Sequence, residues 1–266
     1  MGPKGGGRVC GVEVDTGGFR GNQAEGVGVW GWNEGEDGGN GEVGGEGGKG
    51  WKMVLGYRGC GADRRQAWRV DGEEVGVVTH VKLCMFPDGG IARFRLYGDA
   101  VPIWPRDPGE EVELSAVGMG GRVMGVSDEH FGGGGNLLMP GRGRDMGDGW
   151  ETRRSRGNGH VDWVVVRLGA RGLVGRVVVD TLHFRGNFPR GVRVEGLDFG
   201  EGGEVEVRGD DGRWVEVVGV QACEKDREHV FGEGVLMAGE RVFTHMKMVI
   251  IPDGGVKRFR VFGTRV

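Results

Sequence analysis

The stretch VVVDTLHFRGNFP, residues 177–189, decides the fold because it recurs as VEVDTGGFRGN at residues 12–22. The shared parts, Val-Asp-Thr and Phe-Arg-Gly-Asn, are separated by an offset of 165 residues. A later block, THMKMVIIPDGGVKRFR at 244–260, repeats THVKLCMFPDGGIARFR at 79–95 with the same offset. Two matches at one offset predict a duplicated domain.

The agreement between the two copies is dense. Thirteen of 23 positions are identical between residues 9–31 and 174–196, and eleven of 20 are identical between residues 79–98 and 244–263. Chance matching does not give this density over two separate blocks, so the chain is interpreted as two copies of one module.

Within each copy, apolar and polar residues alternate with a period of two, which is typical of half-buried strands. Examples are Val192–Glu195, Val205–Arg208 and Lys257–Phe262. The Pro-Asp-Gly-Gly sequence lies between two such runs in both copies, and Asp-Gly supplies the positive φ that a tight turn needs. Many short strands with glycine turns and no long helical pattern predict an all-β protein made of β-sandwiches.

The predicted modules are unequal. We assign residues 1–100 to the first module, with a glycine-rich loop at 34–50, and residues 113–266 to the second, with a proline-containing linker at 101–112. The second module has about fifty residues, 126–173, whose counterparts would precede residue 1. We therefore expect a first module that is truncated at its N-terminal side, and that is loose, aggregation-prone or completed by a partner chain.

Composition excludes several classes of partner. With 35 basic and 39 acidic residues the net charge is -4, so no overall positive field exists to hold a nucleic acid. No stretch of about 18 apolar residues predicts a membrane span. The four cysteines are widely spaced and form no CxxC pair, which favours reduced thiols in the cytoplasm and argues against a structural zinc site.

The densest polar segment runs from residue 136 to residue 163. It contains five arginines beside four carboxylates and one histidine: Arg142, Arg144, Arg153, Arg154, Arg156, Asp145, Asp148, Glu151, Asp162 and His160. Arginines can hold a planar carboxylate through paired hydrogen bonds, and a carboxylate and a histidine can divide the base and acid roles. The alternative interpretation is a solvated charged loop.

Smaller signals have structural alternatives as well. Asp180 ends an apolar strand and could face a ligand, or could cap a turn. His245 is repeated in the first module as His80, which favours a structural role, whereas His183 has no such counterpart and is the better catalytic candidate. The pattern His160-Val161-Asp162 places two polar groups on one side of a strand, but it is weak support for a metal site.

The motifs NLLMPGRGRDMGDGWETRRSR, GHVDWVVVRLGARGLVGRVVVDTLHFRGNFP and the twin TH…PDGG…RFR blocks resemble the allantoicase family over most of the chain. The resemblance implies two jelly-roll-like β-sandwiches and the hydrolysis of allantoate to ureidoglycolate and urea in purine catabolism. The chain departs from the family pattern at the front of the first module, and it has Gly17-Gly18 where the second module has Leu182-His183.

Releasing urea from allantoate requires a proton for the departing group, a water molecule and a cation for the carboxylate. With the resemblance, this chemistry gives a set of candidate catalytic residues: Glu151, His160, Asp162 and His183. The candidate substrate-binding residues are Arg153, Arg154, Arg156, Asp180, Asn187 and His245. We expect Glu151 or Asp162 to act on the ureido groups or on water, and His160 or His183 to transfer the proton.

We expect allantoate as the partner, without a cofactor or a metal, and self-association into a homo-oligomer is left open. Two rival interpretations remain. One is a β-sandwich that binds a small ligand without altering it. The other is an inactive relative that kept the fold.

Overall fold

The computed structural model describes residues 5–35, 50–200 and 212–266, and the chain divides into two units between Ile103 and Trp104. We call these units module one and module two. Most of the predicted glycine-rich loop and the predicted strand at 205–208 lie outside the described residues. No helix in the part of the chain that the structure describes has the length and apolar character of a membrane span.

Module one is built from two antiparallel sheets. Its strands are β1 (Gly6–Asp15), β2 (Gly26–Trp32), β3 (Lys52–Gly59), β4 (Arg65–Arg69), β5 (Val77–Val78), β6 (His80–Phe86) and β7 (Arg93–Val101), with one short helix, α1 (Gly72–Val75). One sheet joins β4, β5 and β7 to β1, and the other has the order β3-β2-β6. Valines dominate the buried positions between the sheets, among them Val12, Val14 and Val29.

Module two is larger and more deeply buried. Its strands are β8 (Val112–Glu113), β9 (Arg122–Val126), β10 (Trp150–Glu151), β11 (Asp162–Asp180), β12 (Gly191–Leu197), β13 (Val215–Ala222), β14 (Glu228–Phe231), β15 (Val242–Ile251), β16 (Gly255–Val256) and β17 (Arg258–Arg265). Three 3-10 turns lie at Val117–Met119, Gly134–Leu138 and Met146–Asp148. The core unites residues from both layers, including Val164, Val177, Phe243 and Phe259.

The repeat found in the sequence is also a repeat of structure. The sheet β3-β2-β6 of module one corresponds to β13-β12-β15 of module two, and the group β4-β1-β7 corresponds to β14, the second half of β11 and β17. The predicted all-β architecture of two β-sandwich modules is therefore confirmed.

Strand β11 connects the two layers of module two. Its first part, Asp162–Arg167, pairs with β15, and its second part, Gly172–Asp180, pairs with β17, with an irregularity between them. A Cβ on Gly169 in this irregular stretch would lie 1.8 Å from the carbonyl oxygen of Met119, so only glycine fits at the bend. Because β15 and β17 both pair antiparallel with β11 and follow one another through a tight turn, the two ends of β11 reach the same end of the sandwich.

The turn that joins β15 to β17 is the Pro252–Gly255 turn, and it is packed against Phe184. A Cβ on Gly255 would lie 2.0 Å from the ring of Phe184, which is fully buried. Gly90 and Phe19 repeat the same contact in module one. The Phe-Arg-Gly-Asn and Pro-Asp-Gly-Gly motifs therefore recur together because each supplies one side of this contact.

The modules differ most at the strand next to the bend. In module two, β15 lies between β12 and the first part of β11, and Met246, Met248 and Ile250 are fully buried. Among the described residues of module one, β6 pairs only with β2, and its side chains are half-buried or exposed. One edge of β6 thus has no strand beside it within the described ranges.

We predict that this edge is visible in hydrogen exchange. Backbone amides of β6 that point away from β2 should exchange faster than the amides at the same repeat positions of β15, because the latter are bonded to β11. Exchange should be measured residue by residue, with β2 and β12 as internal controls. Equal protection in β6 and β15 would show that module one closes this edge in another way.

Candidate active site

The Pro252–Gly255 end of module two gathers most of the predicted site residues. Strand β11 begins there with Asp162, opposite Ile250, and ends there with Asp180, opposite Arg258. Strand β10 joins the same end, since it pairs with β16 directly after the turn. Residues that are far apart in sequence therefore share one end of one sandwich.

Glu151 is half-buried in β10 and is held by Asn187. The Nδ2 of Asn187 donates a hydrogen bond to Oε1 of Glu151, and the backbone carbonyl of Glu151 accepts one from Phe131 at 3.1 Å. The cross-strand neighbours of Glu151 are Gly132 and Gly255. Because neither neighbour has a side chain, no directly opposite side chain packs over Glu151.

His160 and Asp162 form a second pair of site residues. Nε2 of His160 lies 3.2 Å from Oδ2 of Asp162, whose side chain is 3% exposed, while the imidazole is partly open. Oδ1 of Asp162 accepts a hydrogen bond of 2.7 Å from the hydroxyl of Ser127, and Ser127 in turn accepts one from the backbone of Trp163. A buried carboxylate on one ring nitrogen fixes the orientation of an imidazole and leaves Nδ1 for proton exchange.

Three arginines follow Glu151 in the loop that leads to His160. Arg153, Arg154 and Arg156 are all exposed. The backbone amide of Arg153 donates to Asp128 at 2.6 Å, and its guanidinium lies 3.3 Å from Nδ1 of His130. Because these guanidinium groups are exposed, they can bind the carboxylate of a ligand that approaches from solvent.

Asp180 is already engaged. It is 2% exposed, and both of its carboxylate oxygens accept hydrogen bonds from Arg142, at 2.7 and 2.8 Å. This contact raises the pKa of the Arg142 guanidinium. Asp180 therefore anchors the segment that carries Arg142. Its Oδ1 also accepts a hydrogen bond of 2.9 Å from the backbone amide of Leu182, which favours the turn-capping alternative.

His183 adopts a backbone conformation that disfavours a side chain. Its φ is 71°, and its counterpart in module one is Gly18, with φ of 84°. The amide of His183 donates to Asp226 at 2.7 Å, which holds the turn in place. Non-glycine residues in this region cost on the order of 1–2 kcal/mol, and such strain is concentrated at functional sites.

His245 lies apart from the other candidates. It is six residues before the end of β15 at Ile251, about 20 Å along the strand. Its ring is buried against Phe199, with 5.0 Å between ring centroids, and Nδ1 is 2.9 Å from the hydroxyl of Thr244. Burial, with the nearby charge of Arg167 as a smaller cause, lowers the pKa of His245 to about 4. The Thr79-His80 pair repeats the threonine-histidine contact in module one.

Several residues at this end were not singled out from the sequence. Three of them, Ser127, Asp128 and His130, precede the polar segment 136–163. They belong to the site because residues 130–132 lie beside β10. Lys257 and Arg258 are both buried, beneath the loop that leads to Glu151. In the sequence, Lys257 differs from Ala92 at the same repeat position of module one, and this difference could have singled out Lys257.

Within residues 5–35, 50–200 and 212–266, no group of three or more histidine, cysteine, aspartate or glutamate side chains is arranged to hold a metal ion. The four cysteines are free thiols. Burial raises the pKa of Cys223 to about 11.

Taken together, the fold and the site define a tandem β-sandwich protein with a polar, enzyme-like site at one end of its second module. The Allantoicase repeat matches residues 2–101 and 112–266. The chain belongs to the allantoicase family. It is 46% identical over 263 residues to the allantoicase of Neurospora crassa, which covers 97% of this chain and 72% of that protein.

Further relatives agree. The allantoicase of Saccharomyces cerevisiae is 44% identical, over 96% of this chain and 72% of that one. The crystal structure of allantoicase from Saccharomyces cerevisiae superposes with a TM-score of 0.78 at 41% identity, covering 99% of this chain and 75% of that chain. The chain thus spans about three quarters of the length of these relatives.

The buried His245 predicts a sensitivity of module two to acid. The folded pKa of about 4 lies below the ordinary value of 6.5, so the unfolded chain binds the proton first as the pH falls. The free energy of unfolding should therefore decrease as the pH drops below about 6.5, by roughly 3 kcal/mol once the pH is below about 4.

Urea unfolding of the wild type and of His245→Asn at about pH 7 and about pH 5 measures this loss. The variant should lose less stability between the two pH values, whereas His80→Asn, at the exposed counterpart, should behave as the wild type. An identical pH dependence in all three proteins would contradict the assignment.

Proposed function

We propose that this chain hydrolyses allantoate to ureidoglycolate and urea, a step of purine catabolism. The observation that carries the proposal is the 46% identity over 97% of the chain to a protein named allantoicase. The polar site at the Pro252–Gly255 end of module two supports it, because it offers an acid, a base and cations within one region.

The reaction breaks one C–N bond at the carbon that carries both ureido groups. A water oxygen forms the new C–O bond, the departing nitrogen takes up a proton, and the water gives up a proton. One proton donor and one proton acceptor are therefore needed on either side of the reacting carbon, together with a cation for the substrate carboxylate.

The geometry favours His160 as the donor to the departing urea. Its Nε2 lies 3.2 Å from Oδ2 of Asp162, and this contact restricts the orientation of the ring before the substrate arrives. In this proposal Asp162 acts through His160 and is a positioning residue. Glu151, which Asn187 holds from one side, is the candidate to accept the proton from water.

The substrate carboxylate is assigned to the exposed guanidinium groups of Arg153 and Arg154, with Arg156 further along the same loop. His183 is retained as a candidate contact with the substrate, because module two places a side chain at a positive φ of 71° where module one has glycine. Asp180 and His245 stay predictions as substrate-binding residues, and their buried contacts favour structural roles.

Two further parts of the proposal concern the setting of the protein. The four free thiols are compatible with a cytoplasmic location, where cysteines stay reduced. A homo-oligomer stays a prediction that analytical ultracentrifugation would test.

The direct test is release of urea from allantoate by the purified chain. We expect the wild-type chain to release urea and ureidoglycolate in equal amounts. The Glu151→Gln variant should release urea at no more than roughly one hundredth of the wild-type rate. Binding of allantoate without turnover, at a stable fold, would favour the inactive relative. Binding of a glycan with no effect on allantoate would favour the ligand-binding interpretation.

The strained His183 gives a second test in which stability and rate move in opposite directions. Replacing it with glycine, the residue of module one, should raise the free energy of unfolding by about 1 kcal/mol because the strain is relieved. The same change should lower kcat by roughly 100-fold if the imidazole meets the substrate. His183→Ala is the matched control, since it removes the imidazole but keeps the strain. Full activity in both variants would remove His183 from the site.

A further inference from the structure

The segment that precedes Glu151 is a loop, residues 139–149, that lies over a buried lysine. The side chain of Lys257 has no exposed surface, forms an ion pair with Asp148, and donates a hydrogen bond to the backbone carbonyl of Asp145. Burial and the neighbouring charge of Arg258 lower the pKa of the Lys257 ammonium, and Asp145 acts in the opposite direction. Lys257 is therefore a buried cation, and both of these polar partners, Asp145 and Asp148, belong to this loop.

The same loop is tied to β17 at further points. Arg258 donates to the carbonyl of Gly141 at 2.9 Å and to that of Asp148 at 2.7 Å, and Arg260 donates to Gly141 at 2.6 Å. Arg142 is bound by Asp180 at the end of β11. The loop is thus fixed near its start and at its end, although its side chains are largely exposed.

Module one shows what the strand is like without this arrangement. Ala92 stands where module two has Lys257, and Arg93, the counterpart of Arg258, is exposed. The strand itself and its register are preserved, since β7 pairs with β1 as β17 pairs with β11. The lysine is therefore not required to form this strand of the sandwich.

We propose that Lys257 is a positioning residue that sets the location of Glu151 through its ion pair with Asp148; this rests on the proposed function of Glu151. Only Gly149 separates Asp148 from Trp150, whose buried side chain begins β10. A displacement of about 1 Å at a reacting group can lower a rate roughly 100-fold. Lys257 does not touch the substrate, because its ammonium lies wholly beneath the loop.

A buried ion pair is seldom a source of net stability, whereas removal of one partner leaves an uncompensated charge. Burial of the Lys257 ammonium therefore costs desolvation energy, and the ion pair with the half-buried Asp148 fixes the geometry of the loop. Lys247 offers a comparison within the same module. It is also buried and pairs with Glu195 on the β12–β15 part of the sheet.

The test compares Lys257→Met with the matched control Lys247→Met. We expect Lys257→Met to lower kcat for allantoate by roughly 10- to 100-fold with a smaller change in KM, and to speed hydrogen exchange at the amides of residues 139–149. Lys247→Met should keep kcat and the protection of the loop. Asp148→Asn removes the charge of the lysine's more exposed partner but keeps the size of its side chain. This variant should reproduce the effects of Lys257→Met in weaker form.

The exchange measurement separates the anchoring role of Lys257 from the proposed function of the site. If the wild-type chain releases no urea while Lys257→Met still loses loop protection, the proposed function fails and the anchoring role stands. If Lys257→Met keeps wild-type kcat and wild-type loop protection, the inference is overturned. It is also overturned if both lysine variants lower kcat equally and only in proportion to the unfolded fraction. If Lys257→Met does not fold, Asp148→Asn decides in the same way.

Discussion

The bend in β11 is the constraint on which the rest of module two depends. A straight strand of this length would carry Asp162 and Asp180 to opposite ends of the sheet, but the glycine-containing bend returns the second half of the strand to the end where the first half began. The Pro252–Gly255 turn lies at that end because β15 and β17 follow the two halves of β11. Backbone pairing, rather than the site itself, therefore decides where the polar side chains meet.

Around this end, carboxylates have two kinds of surroundings. Asp162 and Asp180 are buried and each is matched by a partner, His160 in one case and Arg142 in the other. Glu151 is half-buried, and the residues opposite it on both sides are glycines. Buried carboxylates that are already paired hold other groups in place, whereas a carboxylate with room beside it can take part in proton transfer.

The sequence predicts the fold better than the site. Alternation and the repeat of the Pro-Asp-Gly-Gly and Phe-Arg-Gly-Asn motifs are local or nearly local signals, and the contact between Phe184 and Gly255 explains why both recur. The sequence also pointed to the His160–Asp162 pair, but for the wrong reason: β11 begins at Asp162, and His160 lies in the turn before the strand rather than on the same strand face. Two other features could not be predicted from the sequence: the ion pair of Asp180 with Arg142, and the burial of Lys257. Both depend on how the loop at 139–149 docks on a strand, and the strand that carries Lys257 is more than a hundred residues away in the sequence.

In the proposed function, one end of module two binds the substrate. A crystal structure of the Glu151→Gln variant with allantoate bound tests this most directly. We expect allantoate beside the Pro252–Gly255 turn, with its carboxylate on Arg153 or Arg154 and a ureido nitrogen within hydrogen-bond distance of His160. Allantoate bound within module one, or on the outer face of the β12–β13 sheet with this end empty, would contradict it.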